Sequence, residues 1–144
     1  ALAGAAAAHA ALGQADWLAA TRAIGTTDTF PKAATTSAMI GGTRVTLTGI
    51  IKGSGMIAPD MATMLGFIFT DAAVAPPLLQ AMLSAATAAS FNSITVDSDT
   101  STSDTVLAFA TGAAGHPLLD TMESPGADAF AAALADLCRQ LAIL

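Results

Sequence analysis

Apolar and polar residues alternate through residues 43–51, which is the pattern of a β-strand with one buried face. Val45 and Leu47 lie on the apolar face of this predicted strand. Residues 35–40 form a second candidate strand, and the Gly-Gly pair at 41–42 permits the positive φ angles of a tight turn. The sequence therefore predicts a β-hairpin.

Three further segments have the composition of strands. Residues 64–69 form a continuous apolar run, MLGFIF, which predicts a strand buried on both faces. Residues 94–96 and 105–110 are rich in apolar and β-branched residues, and a polar segment with three aspartates separates them.

Apolar residues at helical spacing predict three helices. The first follows Asp16, a candidate N-cap, and stops at Gly25. A proline in the first turn introduces each of the other two, of which the earlier one is expected to lie on the sheet. Their starts and apolar faces are Pro77 with Leu78, Leu79, Met82, Leu83 and Ala86, and Ser124-Pro125 with Phe130, Leu134, Leu137 and Leu141. The chain is thus predicted to be an α/β protein with a mixed sheet packed against helices, although this pattern does not define the strand order.

The composition excludes several classes of function. With 144 residues the chain has the size of one domain, and no window approaches the roughly 20 apolar residues of a membrane span. Eleven acidic and five basic residues give a net charge of −6, so the chain lacks the basic surface that binding to nucleic acid requires. We expect a soluble protein that binds neither membranes nor nucleic acid.

The sequence also argues against a disulfide and a metal site. Cys138 is the single cysteine, which excludes an intrachain disulfide and fits a reducing, cytoplasmic setting. His9 and His116 have no cysteine or carboxylate at ligand spacing, and the aspartates of residues 97–104 lack the glycine and distal glutamate of a calcium loop. Residues 1–11 have neither an initiator Met nor the basic flank of a signal peptide, so we expect the chain to begin inside a longer gene product.

The most distinctive stretch is residues 52–66, with the sequence KGSGMIAPDMATMLG. Its glycines and proline predict irregular backbone between the hairpin and the apolar run. Cleavage of the Ala62–Thr63 bond would give Thr63 a free α-amine, which can accept the proton of the threonine hydroxyl and make it a nucleophile. Lys52 would then hold a substrate carboxylate. On residue type alone, a loop lysine and a strand-start threonine without catalytic roles remain an open alternative.

The segment 52–66 resembles the self-cleavage motif of the ornithine acetyltransferase family, the bifunctional glutamate N-acetyltransferases of arginine biosynthesis. Other characteristic segments of that family match in the same order: residues 26–32 (TTDTFPK), and residues 91–97 (FNSITVD) with residues 100–102 (TST). The resemblance extends over most of the chain. It implies the layered α/β sandwich of these self-processing enzymes.

The resemblance implies that Thr63 is the nucleophile, released by autocatalytic cleavage after Ala62, and that it carries the acetyl group as an ester. Residues 1–144 would then be the central part of one acetyltransferase domain. Residues 1–62 would be the end of an α chain and residues 63–144 the start of a β chain, and the resemblance implies that the two chains assemble as a heterotetramer.

The same resemblance implies substrate-binding residues and a reaction. Lys52 matches a substrate-binding lysine, and either Thr26 or Thr27 matches a substrate-binding threonine; Thr63 itself also contacts the substrate. Acetyl would move from N-acetylornithine to Thr63, ornithine would leave, and glutamate would attack to give N-acetylglutamate. This transfer needs no metal or nucleotide cofactor, and some members of the family also use acetyl-CoA as acetyl donor.

The chain departs from the family pattern at Ser98 and Ser103, where glycine and asparagine are usual. The Thr-Gly pair of the family's oxyanion hole lies upstream of the segment that matches Trp17, and further binding residues lie beyond Leu144. Two other functions stay open. One is a self-processing N-terminal-threonine hydrolase or aminopeptidase, and the other is a non-catalytic relative that binds an amino acid and keeps the Ala62–Thr63 bond intact.

Overall fold

The structure is a computed structural model that describes residues 2–14, 16–53, 64–94 and 103–144. In these stretches four strands form one sheet in the order β1-β2-β3-β4, accompanied by four α-helices. In chain order the elements are α1 (Leu2–Ala10), α2 (Trp17–Ile24), β1 (Lys32–Ile40), β2 (Thr43–Lys52), β3 (Leu65–Thr70), α3 (Pro76–Ala88), a 3₁₀ turn (Phe91–Ser93), β4 (Thr105–Ala110) and α4 (Ala127–Ile143).

The predicted hairpin and the mixed sheet are confirmed. β1 and β2 pair antiparallel from Lys32 opposite Ile51 to Ile40 opposite Thr43, so β1 starts three residues earlier than predicted. The two glycines of the 41–42 turn have φ angles of 55° and 85°, in the region that glycine favours. β2 pairs antiparallel with β3, and β3 pairs parallel with β4, which spans residues 105–110 as predicted.

Helix α4 forms the core by covering one face of β1 and β2. Its predicted apolar stripe is confirmed, and the four residues of that stripe are buried: Phe130, Leu134, Leu137 and Leu141. Gly49 of β2 lets the helix approach, because a Cβ there would stand 2.5 Å from Leu141 Cδ1. In the same helix Cys138 is buried, and its burial raises the pKa of the thiol to about 11.

Gly126 precedes α4 and makes the helix begin at Ala127 rather than at Pro125. Its φ is 89°, and a Cβ at this position would come within 3.2 Å of Ile40 Cα and 3.0 Å of Ile40 Cγ2. We expect Gly126→Ala to lower the free energy of unfolding by about 2–3 kcal/mol, because strain at positive φ and a clash with Ile40 add together. Urea unfolding followed by the fluorescence of the single tryptophan, Trp17, measures this loss.

Gly115 supplies the matched control for this prediction. Its φ is 78°, but no atom lies within 4 Å of the position that a Cβ would take. Gly115→Ala should therefore lower the free energy of unfolding only by the strain, about 1 kcal/mol. Equal losses in the two variants would contradict the clash with Ile40.

The prediction that α3 lies on the sheet is wrong. Residues of its apolar stripe are buried, but the helix packs chiefly against α4 and the 3₁₀ turn. The physical reason is that α4 already occupies this face of β1 and β2, so α3 buries its stripe against the side of α4. The first turn of α3 does contain proline, as predicted.

The prediction that β3 is buried on both faces is also wrong. Ile68 is buried against the core, whereas Phe67 and Phe69 on the other face are only partly buried. Helix α2 covers this second face of the sheet incompletely: the Trp17 ring lies 5.2 Å from that of Phe69, and Phe69 stacks on Phe109 at 5.3 Å. Trp17 and Phe109 are nevertheless 40% and 46% exposed, so this aromatic row still faces solvent.

Other expectations fall partly outside the described residues. The strand predicted over residues 94–96 is described only at Ile94, which has extended φ and ψ angles, and Thr95 and Val96 lie outside. Helix α1, which the sequence analysis did not predict, consists mainly of alanine and is exposed along its whole length. None of the helices in the described ranges has the length and apolar character to cross a membrane.

Candidate functional site

The segment 26–32 and Lys52 meet at one end of the β1-β2 hairpin. Helix α2 leads into this end: Asp16 caps it by accepting hydrogen bonds from Leu18 N at 3.0 Å and Ala19 N at 3.2 Å, and Gly25 ends it. The chain then runs irregularly to Lys32, the first residue of β1. Because β1 and β2 are antiparallel, the start of β1 lies beside the end of β2.

Asp28 is the centre of the contacts at this end. Its Oδ1 accepts a hydrogen bond from Gly53 N at 2.9 Å and lies 3.3 Å from Lys32 Nζ, and its Oδ2 accepts one from Thr26 N at 3.3 Å. Lys32 Nζ also donates to the carbonyl oxygen of Gly53 and lies 5.6 Å from the centroid of the Phe30 ring. The side chains of Asp28 and Lys32 are only 6% and 12% exposed, so this is an almost buried ion pair.

The environment of Asp28 favours its charged form. Burial by itself would raise the pKa of the Asp28 carboxyl, but the hydrogen bonds from the amides of Gly53 and Thr26 and the hydrogen bond and charge of Lys32 outweigh it. The pKa of Asp28 therefore lies below its ordinary value. Because folding lowers this pKa, the ionised carboxylate stabilises the fold above the unfolded-state pKa, near 3.9, and loses that contribution as pH falls through the folded-state value.

Replacing Asp28 with asparagine is expected to lower the free energy of unfolding by about 1–3 kcal/mol at pH 7, since hydrogen bonds to a charged group are lost and Lys32 loses its partner. The difference between Asp28→Asn and the unmodified chain should shrink below about pH 4, as the carboxyl of the unmodified chain becomes protonated. Urea unfolding between pH 3 and pH 7 measures both effects.

Asp136 provides the matched control, because it also forms an ion pair, with Arg139, but on the surface of α4. The side chains of Arg139 and Asp136 are 67% and 37% exposed, and exposed pairs contribute less than about 1 kcal/mol. Asp136→Asn should therefore change stability little at any pH. Equal losses at the two positions, or a loss at Asp28 that does not depend on pH, would contradict the buried ion pair.

A shallow groove lies beside Asp28, with a volume of about 240 Å³. The end of α2, the loop to β1 and Ile51 form its walls, and it contains the guanidinium-bearing Arg22. Of the two threonines predicted to bind substrate, Thr26 lines the groove and Thr27 is its exposed neighbour in the loop. The groove is smaller than the roughly 300–1,000 Å³ pockets that enclose drug-sized ligands, so it suits a small molecule or part of one.

Lys52 does not line this groove. It is the last residue of β2, is half-buried and pairs in register with Leu65, the first residue of β3. Ile51 joins the core under α4. Because side chains alternate along a strand, Lys52 points to the opposite face of the sheet, where α2 lies. Asp28 joins the two candidate binding segments, because its carboxylate accepts hydrogen bonds from the amide of Thr26 and from the amide of Gly53, the residue that follows Lys52.

The predicted nucleophile Thr63 and its neighbour Ala62 lie outside the described residues. The residue that follows them, Met64, is described and is held by both of its backbone groups. Met64 N donates to Asp104 Oδ1 at 2.9 Å, and Met64 O accepts from Thr105 N at 3.0 Å. Met64 also contacts Gly53: a Cβ on Gly53 would stand 3.4 Å from Met64 Cα. Gly53 and Met64, the described residues before and after positions 54–63, therefore lie next to each other at the hairpin end.

The sequence analysis missed three residues of this site: Asp28, Lys32 and Asp104. For the first two a signal existed, because an acidic and a basic residue four positions apart in an otherwise uncharged loop indicate an ion pair. For Asp104 there was none, since its partner Met64 is 40 residues away in sequence.

Both ring nitrogens of His116 have structural roles. Nε2 accepts a hydrogen bond from Ala73 N at 3.0 Å, and Nδ1 lies 2.7 Å from the Pro117 carbonyl oxygen. Over the stretches that are described, no three His, Cys, Asp or Glu side chains are grouped to hold a metal ion.

Comparisons with known proteins all point to one family. The Arginine biosynthesis bifunctional protein ArgJ of Zymomonas mobilis is 61% identical over 127 residues, which are 88% of this chain and 31% of that protein. The protein of the same name from Rhizobium meliloti is 58% identical over 130 residues, 88% of this chain and 32% of the relative. The crystal structure of Arginine biosynthesis bifunctional protein argJ from Bacillus halodurans is similar with a TM-score of 0.51 and 46% identity, over 53% of this chain and 35% of that one. The chain thus spans about a third of the length of the curated relatives it matches.

The mixed sheet and the helix α4 on one of its faces define an α/β protein whose fold is similar to that of the argJ protein from Bacillus halodurans. The match to the ArgJ family extends over residues 2–144. The chain belongs to the ArgJ family, and the resemblance seen in its sequence motifs is confirmed.

Proposed function

We propose that this chain is the central part of an acetyltransferase of arginine biosynthesis, which moves an acetyl group from N-acetylornithine to glutamate through an ester on Thr63. Residues 1–62 would be the end of an α chain and residues 63–144 the start of a β chain, formed by cleavage of the Ala62–Thr63 bond. Membership of the ArgJ family and the names of the relatives, which are arginine biosynthesis bifunctional proteins, support the reaction.

The observation that carries the proposal is the meeting of Gly53 and Met64 at the hairpin end. These residues flank the segment 54–63, and each is held by an aspartate: Gly53 by Asp28 and Met64 by Asp104. A nucleophile at position 63 and a substrate anchor at position 52 require such an arrangement, with the residues that flank the segment held beside the rigid strands β2 and β3.

In the proposed chemistry the α-amine that cleavage frees on Thr63 accepts the proton of the threonine hydroxyl. The oxygen attacks the acetyl carbonyl carbon of N-acetylornithine, the C–N bond breaks, and the proton passes to the departing amine of ornithine. The amine of glutamate then attacks the ester, the bond between the acetyl carbon and the threonine oxygen breaks, and the hydroxyl regains a proton. The α-amine has an ordinary pKa of about 7.7–8.0, which suits a base near neutral pH.

Lys52 is proposed to bind the α-carboxylate that both substrates share. Lys32, the other lysine at this end, is already paired with Asp28, whereas no carboxylate among the described residues pairs with Lys52. Thr26 or Thr27 would contribute a hydroxyl or amide to the same substrate. The reaction as proposed uses no metal or nucleotide cofactor and takes place in the cytoplasm in a heterotetramer of α and β chains. Acetyl-CoA, which some members of the family use, is a candidate alternative donor.

The experiment that tests the proposal is the intact mass of the purified full-length gene product, before and after incubation with N-acetylornithine. We expect two fragments that divide between Ala62 and Thr63, with about 42 Da added to the fragment that begins at Thr63. Addition of glutamate should remove this mass and yield N-acetylglutamate. Free acetate without N-acetylglutamate would indicate a hydrolase instead, and an uncleaved, unmodified chain would indicate a non-catalytic relative.

A further inference from the structure

Asp28 lies between the two segments that are proposed to bind substrate. It lines the groove, but its carboxylate already accepts hydrogen bonds from the protein itself. Its Oδ1 binds the amide of Gly53, and its Oδ2 lies 3.3 Å from the amide of Thr26. These two amides belong to different segments, 27 positions apart in the sequence. The carboxylate is thus a bridge between the loop that follows α2 and the end of β2.

Asp28 and Lys32 both hydrogen-bond to Gly53 and so connect the start of β1 and the loop before it to the residue after β2. β1 and β2 begin their ladder at Lys32 and Ile51, so neither Gly53 nor the loop from Thr26 to Pro31 belongs to the ladder. Gly53 is nevertheless held at both polar groups, because its amide donates to Asp28 and its carbonyl oxygen accepts from Lys32. The ion pair of Asp28 and Lys32 therefore clamps the residue directly after Lys52.

We infer that Asp28 is a positioning residue for substrate binding: its carboxylate sets Lys52 at a defined distance from the Thr26-Thr27 loop, so that one α-carboxylated substrate contacts both. This inference rests on the proposed function of Lys52 and of the threonines. A second consequence concerns charge. Because Asp28 neutralises Lys32, a substrate carboxylate at this end of the hairpin is directed to Lys52 rather than to Lys32.

Asp28 makes no contact with the acetyl group in this scheme, so its loss should affect binding and leave chemistry nearly unchanged. In a ping-pong reaction N-acetylornithine and glutamate occupy the same site in turn and share the α-carboxylate. We therefore expect Asp28→Asn to raise the KM values of both substrates in parallel, by about tenfold, while kcat changes by less than about threefold. A merely structural role would lower stability without this pattern.

The test uses the full-length gene product with Asp28→Asn, Lys32→Met and Asp136→Asn, at a temperature where circular dichroism shows each variant folded. Asparagine keeps the size of Asp28 and one acceptor oxygen, so this variant is expected to fold. Lys32→Met removes the cation but keeps both amide hydrogen bonds of Asp28, so we expect a smaller rise in both KM values than in Asp28→Asn. Asp136→Asn, on α4, should leave kcat and both KM values unchanged.

Amide hydrogen exchange at Gly53 gives a readout that does not depend on activity. In Asp28→Asn this amide loses a charged acceptor, so we expect its exchange to become at least about tenfold faster. Unchanged KM values for both substrates, or a loss confined to kcat, would overturn the inference while the proposed function stands. Absence of acetyl transfer in the unmodified protein would instead contradict the proposed function itself, whatever the exchange rate of Gly53.

Discussion

Replacing Thr63 with alanine in the full-length protein is expected to abolish both the cleavage of the Ala62–Thr63 bond and acetyl transfer. The alanine side chain has no oxygen to attack either the preceding peptide bond or an acetyl group. Removal of the nucleophile from a covalent mechanism lowers kcat by a factor on the order of 10⁶, so activity should fall below detection. Intact mass reports cleavage, and formation of N-acetylglutamate reports transfer.

Two further variants make this result specific. Thr63→Ser keeps a hydroxyl at the same position, so we expect cleavage and part of the transfer activity to be retained. Lys52→Ala removes only the proposed substrate anchor, so we expect normal cleavage and a raised KM for both substrates. Normal processing and acetylation in Thr63→Ala would show that the nucleophile lies elsewhere, and an unchanged KM in Lys52→Ala would contradict the anchor.

Replacing Phe130 with alanine is expected to give the largest loss of stability among the substitutions considered, about 3–5 kcal/mol in the free energy of unfolding. Phe130 is completely buried in α4 and belongs to the core cluster that joins the helix to the sheet. Truncation removes the transfer free energy of the ring and leaves a cavity that the surrounding helix and strands fill only in part. Urea unfolding followed by far-UV circular dichroism measures the change.

Ile143 is the matched control, because it lies in the same helix and is 79% exposed. Ile143→Ala removes apolar atoms that contribute little to the core, and it should change the free energy of unfolding by less than about 0.5 kcal/mol. A similar loss in both variants would mean that burial in the core does not decide the effect at Phe130, since alanine has the higher helix propensity at either position. A loss below 1 kcal/mol in Phe130→Ala would contradict the described core.

Elements with a strong local pattern were predictable from the sequence. The hairpin follows from alternation around a Gly-Gly turn, β4 from an uninterrupted strand-like segment, and the buried face of α4 from four apolar residues at helical spacing. Asp16 was recognisable as an N-cap because the cap and the amides it binds are at most three residues apart. Each of these features depends on neighbours in the sequence.

The placement of elements against one another was not predictable in the same way. The sequence shows that α3 and β3 have apolar residues, but not which partner covers them. α4 occupies the sheet face that α3 was expected to cover, and α2 leaves Phe67 and Phe69 on β3 only partly buried. Amphipathic patterns specify which residues avoid water, while competition among elements for the same face is settled only by the assembled fold.

The candidate site likewise has one part that the sequence identifies and another that only the folded structure brings together. The sequence by itself determined the motif of residues 52–66, with Lys52 and the proposed nucleophile Thr63, because a long run of specific residues identifies the ArgJ family. Only the tertiary structure decided that Asp28 binds Gly53, 25 residues away, and that Asp104 binds Met64, 40 residues away. The physical reason is that strand register brings these groups together, and a contact made by register has no signal in the residues adjacent to it.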